Sequence, residues 1–148
     1  MISRETMQIL AKIKSFPDLS AKIMGQNIKG NAYFWGTNYG VVCLFDVFGL
    51  PAGKFLGLHI HEGTTCDNGD FMSAGGHLNL DNTQHPNHTG DLPPLYTNNG
   101  HALMAVLIDK FTINDIKNRT IIIHSQPDDF TSQPSGNSGS RLACGVIK

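Results

Sequence analysis

Residues 62–94 run for 33 positions without the alternation of a strand or the periodicity of a helix, yet strand-like runs flank them on both sides. A compact domain carries so long an irregular segment only when it is functional or disordered. This one is rich in Gly, Asp, Asn and Pro, lacks Lys and Arg, and holds His77, His85, His88 and Asp91. Upstream, residues 21–25, 31–36, 41–48 and 56–61 are short, rich in Val, Phe and Tyr, and separated by Gly- and Asn-bearing turns. Such runs predict antiparallel strands. Strand character resumes at 102–108 and 120–124, a second irregular segment covers 125–140, and a last strand runs through 142–147. Seven or eight short strands with two long loops predict an all-β sandwich or barrel.

The 148 residues suffice for one domain with its own core. Ile9, Ile13 and Phe16 stand at helical spacing before Pro17, so residues 1–20 read as an N-terminal arm or short helix, with the domain over 21–148. A net charge of −1 without a block of like charge argues against nucleic-acid and membrane-surface partners. No apolar run approaches the roughly 18 residues of a membrane span. Arg4, Glu5, Lys12 and Lys14 interrupt any secretory core at the start. The chain as written therefore reads as cytoplasmic, or as extracytoplasmic if a leader precedes it. Three Cys allow at most one internal pair. Cys43, inside the apolar run VVCLFDV, reads as a small buried hydrophobe.

His59 and His61 sit two apart in a predicted strand, so both side chains share a face. His124 ends a later strand and can return to the same place in a closed sheet. With His77, His85, His88 and Asp91 they make seven ligands, one fewer than two four-coordinate metals require. A bridging imidazole or a water completes the count equally well. A bridge would hold the metals about 6 Å apart, given metal–nitrogen bonds near 2.0–2.1 Å. Dinuclear hydrolases want about 3.5–4 Å, so that reading is the weaker one. A four-imidazole set suits Cu(II), and three His with one Asp suit Zn(II). His101 is left without a role, and a surface or turn position is its default.

The segments GLHIHEG (57–63), SAGGHLNL (73–80), HPNHTGDLP (85–93), IIIHSQPDDF (121–130) and GNSGSRLACGVI (136–147) resemble copper/zinc superoxide dismutases of the bacterial branch. The resemblance spans roughly residues 21–147 and implies an eight-stranded Greek-key β-barrel. It implies copper on His59, His61, His77 and His124, and zinc on His77, His85, His88 and Asp91, with His77 as the bridge. Asp128 matches an aspartate that links a copper histidine to a zinc histidine, here His59 and His85. Arg141 matches the arginine beside copper, and Cys66 and Cys144 match a disulfide tying the metal loop to the last strand.

The implied reaction takes superoxide to dioxygen and hydrogen peroxide by alternate reduction and oxidation of copper, with His77 and Arg141 as its catalytic residues. Superoxide is the expected partner, and a homodimer is compatible with the family. Leu58 and Leu80 depart from the pattern, only two residues separate His85 from His88, and residues 1–19 have no counterpart in it. A metal-binding barrel without turnover is the alternative, which loss of a copper ligand or of the arginine would have favoured. The segment 125–140 carries no Lys or Arg, so attraction of the anion is expected to rest on Arg141 and the metal.

Overall fold

The computed structural model describes residues 1–67 and 69–148. Its strands are β1 (Leu19–Gly25), β2 (Ile28–Thr37), β3 (Gly40–Phe48), β4 (Phe55–Leu56), β5 (Leu58–His61), β6 (Leu95–Tyr96), β7 (His101–Ile108), β8 (Thr120–His124) and β9 (Arg141–Val146). Two short helices, α1 (Arg4–Lys12) and α2 (Ile113–Ile116), and a 3-10 turn at Met72–Ala74 complete it. Alternation makes β1 a strand with one buried face: Leu19, Ala21 and Ile23 point inward, while Ser20, Lys22 and Met24 do not. Phe34 and Cys43 pair across β2 and β3, and Phe34 meets Phe45 edge to face at 6.2 Å.

Seven strands form one antiparallel sheet in the order β5-β8-β9-β1-β2-β3-β7, and β4 pairs with β6 in a separate two-stranded ribbon. The order is that of a Greek key, since the chain crosses over between β3 and β5 and again between β7 and β8. Residues 56–61 were expected to form one strand, and the structure splits them at Gly57. There the N–H donates to Gln126 O and the carbonyl accepts from His124 N, each at 2.8 Å. A Cβ at Gly57 would sit 2.9 Å from Ser138 Cβ, so only glycine lets the strand pass under the 125–140 loop. Counted as one bent strand, β4 and β5 bring the total to eight. The barrel is a curled sheet closed by the ribbon, with β6 lying against β7 without a ladder.

Two faces of β5 and β8 do different work. Leu58, Ile60, Ile121 and Ile123 point into the main core. His59, His61 and Ile122 point the other way, onto the face that the 62–94 loop covers. There Ile122 and Cys144 pack with Ala74 beside the Cys66–Cys144 disulfide, whose Cα atoms are 5.8 Å apart. The bridge is the one the sequence resemblance implied, and Cys43 is left as a buried free thiol. At the other end, α1 is capped by the Ser3 hydroxyl, which accepts from Thr6 N. Trp35 Nε1 donates to Ser15 O at 3.1 Å and Tyr39 OH to Gln8 Oε1 at 2.9 Å, which ties this segment to β2 and its turn.

Candidate metal centre

The strands β5 and β8 supply His59, His61 and His124, and the loop brings the rest to them through backbone contacts. Isolated bridges set His59 against Asp91 and His61 against His77. The result is two groups of four side chains, His59, His61, His77 and His124 in one, His77, His85, His88 and Asp91 in the other. Within each group the candidate ligand atoms lie within 4.8 Å of one another. All seven side chains are buried.

Every imidazole except that of His88 has one ring nitrogen hydrogen-bonded to a protein oxygen. His59 Nε2 and His85 Nε2 donate to the two oxygens of Asp128, at 2.7 and 2.8 Å. His61 Nδ1 donates to Gly75 O at 2.9 Å and His124 Nδ1 to Gly139 O at 3.5 Å. These bonds fix the tautomers, so His61 and His124 present bare Nε2 atoms to each other at 3.4 Å. His77 Nδ1 bonds to Asp91 Oδ1 at 2.7 Å. Its ring stacks on His59 with centroids 3.8 Å apart. On the other side of Asp91, His85 Nδ1 and His88 Nδ1 lie 3.0 and 3.4 Å from Oδ2.

Among the described residues, four buried nitrogens, His59 Nδ1, His77 Nε2, His85 Nδ1 and His88 Nδ1, have no hydrogen-bond partner. Orphaned buried polar atoms are costly; His59 belongs to the first group, and His85 and His88 to the second. His77 belongs to both, with Nδ1 on the Asp91 side and Nε2 left for the other side. Burial is the chief cause of the depressed pKa values here. It lowers His59 and His61 to about 2 and His124 to about 4, with neighbouring imidazoles adding to it. The lone pairs are therefore free at neutral pH. Burial works to raise the Asp91 carboxyl, but the hydrogen bond to His77 and the surrounding imidazoles outweigh it and hold it at about 2. Imidazole nitrogens without hydrogen-bond partners around one carboxylate fit divalent metals, and the group without a carboxylate fits copper.

An open cleft of about 380 Å³ leads to His61, His77 and His124 and is lined also by Asn79, Pro134 and Arg141. Arg141 is fixed by two carbonyls, Nη1 donating to Phe71 O at 2.5 Å and Nη2 to Gly75 O at 2.6 Å. Gly75 O thus orients both His61 and the guanidinium. Sequence reasoning missed this carbonyl and that of Gly139, because a backbone oxygen leaves no mark in residue type. His101, read as a surface or turn residue, is half-buried at the start of β7. It bonds to Asp46 Oδ1 at 2.7 Å and stacks on Phe48 at 4.1 Å, away from the centre.

The family model for copper/zinc superoxide dismutase matches residues 28–147. The chain belongs to that family. A copper/zinc superoxide dismutase from Aquifex aeolicus is 35% identical over 97% of this chain and 92% of its own. Among solved structures, a superoxide-dismutase-like protein from Bacillus subtilis superposes with a TM-score of 0.77 at 31% identity, covering 86% of this chain and 96% of that one. The copper/zinc superoxide dismutase of Brucella abortus gives 0.76 at 26% identity, covering 87% and 98%. Family membership makes this chain a superoxide dismutase with copper and zinc as its metals, and the two histidine-rich groups are where such ions fit.

Proposed function

We propose that His59, His61, His77 and His124 hold copper, that His77, His85, His88 and Asp91 hold zinc, and that His77 is the shared ligand. The observation that carries this reading is the position of His77: Nδ1 bonds to Asp91, and Nε2 is buried without a partner. One imidazole facing two ligand groups closes the seven-residue count without a water. Two superoxide ions and two protons give one dioxygen and one hydrogen peroxide. Bound copper supplies the one-electron steps by changing oxidation state, and zinc supplies a fixed positive charge.

The protein's own part is positioning and proton handling. Arg141, clamped by Phe71 O and Gly75 O, offers its remaining N–H groups to a small anion in the cleft. His77 keeps Nδ1 on the Asp91 side throughout, so its ring holds its orientation while Nε2 takes up a proton and then gives it to the reduced substrate. Asp128 ties His59 to His85, which couples the geometry of the two groups.

Metal analysis and dismutation assays on the loaded protein test the assignment. One copper and one zinc per chain are expected, and His61→Ala should abolish dismutation while zinc stays bound. An active His61→Ala variant would refute the copper set. A homodimer completes the proposal. Phe48, Leu103 and Leu107 are 47%, 64% and 42% exposed on the outer faces of β3 and β7. Residues 102–108 are seven apolar residues in a row, a pattern typical of strands covered on both sides. Sedimentation that finds only monomer at micromolar concentration would count against it.

A further inference from the structure

One loop holds His85 at both ends. Its ring Nε2 donates to Asp128 Oδ1 at 2.8 Å. Its peptide is bound by the side chain of Gln133: His85 N–H donates to Gln133 Oε1 at 3.0 Å, and Gln133 Nε2 donates to His85 O at 2.7 Å. Neither main-chain group has a backbone partner among the described residues, and His85 is only 3% exposed. A buried peptide needs both its groups satisfied. A primary amide presents one donor and one acceptor side by side, so Gln133 does for His85 what a neighbouring strand would do. Pro86, the next residue, has no N–H and could not extend such a pairing.

We propose that Gln133 is a positioning residue for zinc, fixing the direction of His85 Nδ1 by pairing with the His85 main chain. A ring pinned only at Nε2 can pivot about that hydrogen bond and carry Nδ1 away from Asp91 Oδ2, now 3.0 Å distant. Pinning the peptide as well removes that freedom. Gln133 itself projects from a closed turn. Asp129 Oδ1 accepts from Thr131 N and Ser132 N at 2.9 and 2.8 Å. Gly136 N donates to Ser132 O, and Asp129 N to Gly136 O, at 2.7 and 2.9 Å. Among the described residues, the Gln133 amide hydrogen-bonds beyond His85 only to Thr131 O, at 3.4 Å. Among the described residues it makes no hydrogen bond to His59, His61, His77 or His124, so its effect falls first on the zinc group. Ligand atoms must be placed to about 0.5 Å, and loss of a supporting partner typically costs about 10–100-fold in metal affinity.

The proposal rests on the zinc assignment made above, and the experiment separates the two. Gln133→Met removes both hydrogen bonds at nearly constant length, whereas Gln133→Glu keeps the acceptor and loses the donor. The full chain, stripped of metal, is titrated with zinc and with copper against a chromophoric chelator. Cobalt(II) at the zinc position reports ligand geometry by its visible spectrum, and urea unfolding of the metal-free form reports stability. Gln133→Met should bind zinc about 10–100-fold more weakly with a changed cobalt spectrum. Gln133→Glu should fall between it and the wild type. Copper affinity and the metal-free urea midpoint should stay near wild type. Zinc affinity of Gln133→Met within about threefold of wild type would overturn the proposal, given the size of such effects elsewhere. So would a joint fall of zinc affinity, copper affinity and urea midpoint, which would mark a general loop defect. Wild-type zinc binding that survives His85→Ala would instead overturn the ligand assignment, and this role with it.

Discussion

Stripping the metals and lowering the pH should unfold the protein through its buried histidines. In the metal-free chain, burial holds His59 and His61 at about 2 and His124 at about 4. An imidazole in an unfolded chain titrates near 6.5. Between about pH 4.5 and 5.5 the unfolded state therefore binds about three more protons than the folded state. Stability must rise with pH across that window and be lost as pH falls below about 6.5. Each proton contributes about 1.4 kcal/mol per pH unit, so the three give a slope of about 4 kcal/mol per unit. His88, also lowered by burial, acts in the same direction. Asp91 does not contribute here, because its depressed carboxyl loses its share only as pH falls through about 2. A domain of this size stands only about 5–15 kcal/mol above its unfolded state. The metal-free fold should therefore fail within roughly one to four units below pH 6.5. The metal-loaded protein should survive further, since a coordinated nitrogen has no lone pair to protonate. Urea unfolding of chelator-treated, disulfide-intact protein at about pH 7.5, 5.5 and 5 measures the slope. A value near 5 no steeper than one proton allows, about 1.4 kcal/mol per unit, would refute the reasoning.

The Cys66–Cys144 bridge closes a loop of 78 positions, so breaking it should cost about 4–5 kcal/mol in the chain-entropy account. Unfolding of oxidised and reduced protein compared side by side tests this, and a loss under about 1 kcal/mol would contradict it. Burial pushes the Cys43 thiol up to about 12, so it should resist alkylation in the native state and react only as the chain unfolds. Rapid stoichiometric labelling at neutral pH would show that β3 is not buried as described. Gly136 has φ +64°, and a Cβ there would lie 2.6 Å from His85 Nε2 and against the Asp128 carboxylate. Gly136→Ala should speed zinc release to a chelator by about tenfold or more, and unchanged release would argue that Asp128 does not support the zinc group. Among the described residues Arg141 is the one Lys or Arg lining the cleft, so Arg141→Ala should lower activity about 10–100-fold with copper retained. Wild-type activity should fall only mildly with salt, because a contact is screened less than long-range steering. A steep salt dependence lost on mutating a distant lysine would point to steering from another surface.

The strands were legible because their apolar alternation is local: residues 120–124 were read with the bounds that β8 has, and the ends of β1, β3, β7 and β9 moved by two residues or fewer. At Gly57 one predicted strand became two, since only the packed Ser138 and Gln126 of a distant loop decide where the chain bends. The seven side chains of the two candidate metal groups were legible together because metal chemistry restricts residue type. Nothing in their spacing said which nitrogen each would present.

For His59, His61, His85 and His124 that choice belongs to Asp128, Gly75 O and Gly139 O, partners 14 to 69 residues away in sequence, which set their tautomers. The clamp of Gln133 on His85 was equally hidden, because a polar residue in a Ser- and Gly-rich loop looks the same whether it faces water or a buried peptide. Sequence by itself determined the strand pattern, the two loops and the kinds of atoms available to the metals. Tertiary structure alone decided where those atoms point, because hydrogen bonds between distant segments exist only once the chain has closed.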